Sequence, residues 1–202
     1  LIGNNHHLAP IKGEDFQMFE KDLPGQNTTG WGTDASAIGQ LPKEVCETIN
    51  GSWGFNLQDK KHKTDKELIQ YLINAAGYGS NLLLNVGPMP NGQIQPEHKT
   101  SLLSMGKWMD TYGETIYGTR KGPVAPNATM VSTQKNGVVY LHLLGPQSDT
   151  YLIPHFKGKI KKMEFFESGK KVTHLVNKFG LTFSVPKEDT DPIDTIIKME
   201  IK

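Results

Sequence analysis

The sequence predicts two fold classes in succession, α/β and then all-β. Three observations carry this. Between residues 64 and 112, a helix, a short continuous apolar run and a second helix follow one another, the order of α/β units with parallel strands. After Tyr117 come short runs rich in Val, Ile, Phe, Tyr and Thr, separated by turn signals. No helix-period segment interrupts that stretch, so it predicts a small antiparallel sandwich. The boundary is expected near Arg120–Pro126, dividing the chain into residues 1–122 and 123–202.

Residues 1–63 are rich in Gly, Asn, Asp, Thr and Pro and read as mostly irregular, with Lys21 to Pro42 the longest loop candidate. Thr64-Asp65-Lys66-Glu67 is a capping box that should open a helix. Behind it Leu68, Ile69, Leu72, Ile73 and Ala76 share one face, and Gly77 and Gly79 should end it. The run Asn81 to Gly87, with Leu82, Leu83, Leu84 and Val86, suits a strand buried on both faces. Pro88 to Gly92 is turn chemistry, and a second helix is expected from about Pro96 to Tyr112. In the sandwich the expected strands are 129–133, 138–144, 150–154, 160–167, 171–177, 181–185 and 193–201.

Composition excludes several classes of function. The 202 residues carry 22 Lys or Arg against 21 Asp or Glu, a formal charge of +1. Mixed signs near neutrality give no electrostatic reason to bind nucleic acid or an anionic membrane. No apolar run approaches the ~20 residues of a membrane-spanning helix. The single Cys46 excludes an internal disulfide framework, and no Cys/His group has structural-zinc spacing. The chain opens on Leu1-Ile2 and runs into Gly3-Asn4-Asn5-His6, which looks like the end of a buried strand. We expect a piece of a longer polypeptide.

Read from the residues alone, the acidic group Glu14, Asp15, Glu20 and Asp22 is the best candidate for chemistry, because paired carboxylates serve glycoside hydrolysis. The plain alternative is a set of solvated surface charges. Phe16 and Phe19 could desolvate one of these acids towards general-acid use. His6 and His7 close a presumed strand, where an imidazole could meet a ligand or simply be structural. Trp31 and Trp53 lie in Gly-rich loops and either stack on sugar or cover the core. Cys46 reads as a buried structural thiol. Asn127-Ala128-Thr129 matches a glycosylation sequon.

Three stretches carry a resemblance: Glu44-Val45-Cys46 leading to Ser52-Trp53-Gly54-Phe55-Asn56; Ser80 through Pro88 with Asn91-Gly92; and Gly106-Lys107-Trp108 leading to Tyr112 through Arg120. Over residues 1 to about 125 the sequence resembles the C-terminal part of the catalytic domain of the α-L-fucosidases of glycoside hydrolase family 29. Gly13 to Phe16 with Phe19 to Gly25 is most similar to gut-bacterial members.

The resemblance implies the C-terminal portion of a (β/α)₈-like barrel followed by the family's sandwich, and a retaining exo-α-L-fucosidase that releases terminal fucose from glycans. It places the acid/base at Glu20, following Asp15-Phe16, with Glu14 as runner-up on the same loop. The nucleophile is expected upstream, so the missing N-terminal half of the barrel is an implied partner and this chain alone should be inactive. Trp53 aligns with the aromatic that packs against the fucose methyl. Asn4-Asn5-His6 stands where many members carry Asn-Asp-Arg, so His6 replaces a guanidinium contact to the sugar by one hydrogen bond. No metal or organic cofactor is implied, since two carboxylates suffice. Fucosylated glycans or oligosaccharides are the implied substrates, and the location is periplasmic or secreted. The competing reading is a non-catalytic carbohydrate-binding or structural fragment.

Overall fold

The protein was analysed as a computed structural model, which describes residues 1–202 except 6, 31, 146 and 147, and the side chain of residue 4. It divides into two compact units, Leu1–Gly113 and Glu114–Lys202. The division lies nine residues before the expected one at 122/123. The segment just past Gly113 already belongs to the sandwich, because the Thr133 hydroxyl donates to the Thr115 carbonyl at 2.7 Å and Arg120–Lys121 pairs as a strand.

The first unit is built on a four-stranded parallel sheet whose order follows the chain: β1 (Gly3–Asn4), β2 (Phe16–Glu20), β3 (Lys43–Thr48) and β4 (Asn81–Asn85). Strands β2 and β3 correct the expectation of an irregular segment over 1–63. Their polar residues (Gln17, Glu20, Glu44, Glu47, Thr48) hide the apolar signal. Yet Gln17 is buried because its amide bonds the carbonyls of Leu8 and Ala37 and accepts from Gly39 N–H. Such satisfied amides let a polar residue sit inside a strand.

Helix α1 (Asp65–Gly77) begins as the sequence demands. Glu67 N–H donates to Thr64 Oγ1 at 3.2 Å while Thr64 N–H donates to the Glu67 carboxylate at 2.7 Å, a reciprocal cap. Its Ala75 packs with Phe19, Leu23 and Val45 into a small core, with Tyr71, Tyr78, Ile38 and Leu82 around it. Helix α2 (Pro96–Tyr112) starts with Pro at N1 and is capped by Gly113. Strand β4 pairs in parallel with β3, but it does not have both faces buried. It is the last strand of the sheet, hydrogen-bonded on one side only, and Leu83 is 42% exposed.

The second unit is a sandwich of two antiparallel sheets. One runs β5-β6-β7-β12-β9, from β5 (Arg120–Lys121), β6 (Met130–Lys135), β7 (Val138–Leu143), β12 (Thr195–Ile201) and β9 (Ile160–Phe165). The other runs β10-β11-β8, from β10 (His174–Asn177), β11 (Gly180–Ser184) and β8 (Thr150–Pro154). All seven expected strands are present, with ends displaced by a few residues. Alternate residues point inward, so Leu141, Leu143, Leu181, Phe183, Ile197 and Met199 fill one continuous core. Among the described residues no helix is long and apolar enough to cross a membrane.

Candidate active site

Parallel strands share one direction, so their C-terminal ends gather along one edge of the sheet, where α/β proteins build their sites. Four groups lie there: Asn5 just after β1, Glu20 at the end of β2, the loop carrying Trp53 after β3, and Asn85 at the end of β4. The period of two decides which way Glu20 faces. Phe19 pairs with Val45 and is buried in the core shared with Ala75 of α1, so Glu20, paired with Cys46, projects from the opposite face. Phe19 therefore does not desolvate Glu20. Phe16, at the other end of the strand, lies against Gly3 so closely that a Cβ there would sit 2.4 Å from its ring.

Asn5 Nδ2 donates to Glu20 Oε2 at 2.7 Å, fixing the carboxyl from the neighbouring strand. A cleft of 400 Å³ opens beside it, lined by His7, Glu20, Lys21 and Thr29. Behind Glu20 the chain reverses within three residues. Asp22 N–H bonds the Glu20 carbonyl at 2.6 Å, and Lys21 takes φ +58°. A γ-turn of positive φ is the strained form for a residue with a side chain. Two further bonds hold it: Lys21 N–H to the Cys46 carbonyl at 2.9 Å, and Tyr71 Oη to the Lys21 carbonyl at 2.7 Å.

Asp22 then anchors the following loop. It is buried and accepts from Thr28 N–H at 2.9 Å, Thr29 N–H at 3.0 Å, the Thr29 hydroxyl at 2.6 Å, and the Thr28 hydroxyl. Burial pushes its carboxyl up, but the side-chain and backbone bonds from Thr28 and Thr29 outweigh this and hold it below the ordinary Asp value. The loop is thereby folded back so that Thr29 reaches the cleft.

The indole is placed by the next two strands. Asn85 Nδ2 donates to the Trp53 carbonyl at 2.7 Å, tying its loop to the end of β4. Gly87 lets the two segments touch, since a Cβ there would lie 2.5 Å from Gly54 C and Phe55 N. The Ser52 hydroxyl bonds Asp59 at 2.9 Å and closes the loop. Trp53 is 39% exposed, and the Lys21 ammonium lies 5.4 Å from its ring centroid, within cation–π range.

Of the residues expected at the site, the structure gathers Glu20 and Trp53 around Lys21. It does not bring in Glu14. That residue precedes β2, whose five residues separate its ends by ~13 Å, and it closes a local turn by accepting from Ile11 N–H at 2.9 Å. Asp15 bonds Ile2 N–H at 2.7 Å at the same far end. Cys46 is buried, and burial followed by the Glu20 charge pushes its thiol up, as suits a structural thiol. His6 and Trp31 lie outside the described residues. Asn5 and Lys21 were missed. Their only sequence signal was adjacency, Asn5 to the candidate His6 and Lys21 to the candidate Glu20.

A carboxylate, an amide and an indole thus gather at the C-terminal edge of an α/β sheet, where such proteins build their sites. A profile of the Alpha-L-fucosidase family matches residues 1–114, and the chain belongs to that family, glycoside hydrolase family 29. Mouse tissue alpha-L-fucosidase is 36% identical over 108 residues, covering 50% of this chain and 24% of that protein. The alpha-L-fucosidase of Branchiostoma floridae is 39% identical over 110 residues, covering 50% and 24%. The matched stretch thus spans about a quarter of these curated relatives. Alpha-L-fucosidase isoenzyme 1 from Paenibacillus thiaminolyticus superposes with TM-score 0.78 at 26% identity, over 93% of this chain and 45% of that one. An alpha-L-fucosidase from Bacteroides thetaiotaomicron, described as a trapped covalent intermediate with 2-fluoro-fucosyl fluoride, gives TM-score 0.78 at 25% identity, covering 93% and 43%.

Proposed function

We propose that residues 1–113 form the C-terminal part of the (β/α)₈-like catalytic barrel of a retaining exo-α-L-fucosidase, with Glu20 as acid/base. The observation that supports this best is the position of Glu20: at the C-terminal end of its strand, held by Asn5 and open to a cleft. The carboxylic acid would protonate the glycosidic oxygen as fucose departs, and the carboxylate would then take a proton from the attacking water. Trp53 would offer its ring to the apolar methyl face of fucose, a contact worth ~1–3 kcal/mol in selectivity. Its carbonyl anchor on Asn85 keeps that wall in register with the strand ends.

Retention needs a second carboxylate ~5–5.5 Å from the first. Asp22 is not it, because both its oxygens are already bonded. We assign the nucleophile to the part of the relatives' length that this chain does not match, so the chain by itself would not turn over substrate. Support for a covalent route comes from the Bacteroides thetaiotaomicron relative and its trapped intermediate. Fucosylated glycans as substrates, and a periplasmic or secreted location, belong to the same proposal. The sandwich would contribute stability and no catalytic group. Its Tyr140, Tyr151 and Phe165 are buried, which removes them as a sugar-stacking platform.

The test is turnover by the whole protein. It should hydrolyse α-L-fucosides, and Glu20→Gln should lower kcat on a fucosylated oligosaccharide by ~10²–10⁴-fold, the range of general acid–base catalysis. Normal turnover by Glu20→Gln would overturn the assignment.

A further inference from the structure

Among the described residues lining the cleft, His7 and Lys21 are held at φ +58°, where side-chain-bearing residues are uncommon. Strain of this kind persists only where surrounding bonds over-determine it, and it collects at ligand-binding positions. At Lys21 the bonds are explicit: its N–H, its carbonyl and the turn across it are each engaged. What the strained turn achieves is the direction of one side chain. The Lys21 ammonium lies over the Trp53 indole, 5.4 Å from its centroid.

No carboxylate among the described residues forms an ion pair with that ammonium. An ammonium is therefore held at the cleft wall, one residue from Glu20, without an ion-pair partner among the described residues. We propose that Lys21 is a specificity-determining residue that recognises an anionic substituent, sulfate or carboxylate, on the sugar to which fucose is attached. This rests on the fucosidase reading above. A fucosyl unit is uncharged, so only the rest of the substrate can bring a negative charge. An acid/base residue must also lie beside the glycosidic oxygen, and Lys21, its chain neighbour, lines the same cleft, within reach of the sugar that leaves. The indole holds the cation at 5.4 Å and limits its side-chain freedom, reducing the ordering cost when an anion arrives.

The experiment compares three substrates in the whole protein: a neutral fucosylated lactosamine trisaccharide, the same trisaccharide bearing one sulfate, and the same bearing one sialic acid. The readout is the ratio of kcat/KM, acidic over neutral. Wild type should favour at least one acidic substrate, and the preference should shrink as salt rises. Lys21→Met and Lys21→Gly should each lower the ratio by about three- to fivefold, the scale of one partly exposed charge pair. Lys21→Arg should retain most of it. Glycine accepts φ +58° without strain, so Lys21→Gly remains informative even if Lys21→Met folds poorly. A response to sulfate alone or to carboxylate alone supports the proposal and names the group. A ratio unchanged in both charge-removing variants, with turnover intact, overturns this proposal and leaves the fucosidase reading standing. Failure of the wild type to hydrolyse any of the three overturns both.

Discussion

The two units share a way of burying polar residues but differ in what lies at the ends of their strands. In the sandwich, buried polar groups are spent on one another. The Thr133 hydroxyl lies 3.3 Å from His142 Nε2, and His142 Nδ1 lies 2.6 Å from Asp194, with all three residues buried. Around them the core is continuous and apolar. Two described non-glycine residues of the sandwich have positive φ: Asn136, followed by Gly137 in the hairpin turn between β6 and β7, and His155, just after β8, whose N–H bonds the Phe179 carbonyl at 3.0 Å. The parallel sheet also buries bonded polar residues, Gln17 and Glu47, but Asn5, Glu20 and Asn85 stand at its strand ends, and the positive-φ His7 and Lys21 line a cleft there. The difference separates polar residues closed into the core from polar residues left at an open cleft.

The contrast can be broken most sharply by pairing variants from the two units. Glu20→Gln should abolish most turnover of natural substrates in the whole protein while leaving its stability within about 1 kcal/mol of wild type, as expected for a half-exposed group. Ile197→Ala, at a fully buried sandwich position, should do the reverse. Expected is a loss of ~2–5 kcal/mol by denaturant midpoint at constant m, with kcat per folded molecule retained. If Ile197→Ala lowered kcat while remaining folded, the division of labour would be wrong.

Asp22 lies between these extremes, since it is structural yet sits in the unit that carries the cleft. Asp22→Ala should cost ~2–3 kcal/mol by removing the acceptor of the Thr28 and Thr29 bonds. The sign with pH follows from its lowered folded value. The unfolded carboxylate takes up its proton first, so the Asp22 contribution is complete above the ordinary Asp value and is lost progressively as pH falls from there through the lowered folded value. Urea titrations of wild type and Asp22→Ala should therefore converge on acidification. A gap that stayed constant from neutral pH to about pH 3 would show that the charge is irrelevant.

The smallest effect is expected at Leu83. With 42% of its surface exposed on a one-sided edge strand, Leu83→Ala should cost this chain under about 1 kcal/mol. A larger loss would mean that the strand is covered in solution.

What was legible in the sequence was what local chemistry controls. Thr64 and Glu67 announce α1, Pro96 announces α2, and runs of β-branched and aromatic residues announce every sandwich strand but β5 (Arg120–Lys121). Strands β2 and β3 were not legible. Gln17 and Glu47 are buried by partners distant in sequence: Gln17 by the loops at Leu8 and Ala37, Glu47 by Lys63 at 3.3 Å. The burial expected for β4 failed for a related reason. Apolar composition shows that a strand can be covered, whereas exposure depends on which neighbours are present. At the site, a family motif located Glu20, but the Asn5 contact and the turn at Lys21 arise only when β1, β2 and β3 align. Glu14 looked equivalent in sequence because only strand formation separates it from Glu20.

Azide rescue of two alanine variants in the whole protein tests the assignment of Glu20 most directly. Azide attacks the glycosyl-enzyme without needing deprotonation, so it bypasses a missing base and nothing else. Glu20→Ala on nitrophenyl fucoside should accumulate the covalent intermediate, detected by intact-protein mass, and regain rate with azide by forming fucosyl azide. Glu14→Ala, altered at the opposite end of β2, should turn over like wild type and ignore azide. Rescue of Glu14→Ala, or wild-type turnover by Glu20→Ala on a fucosylated oligosaccharide, would contradict the placement of the acid/base at the C-terminal end of β2.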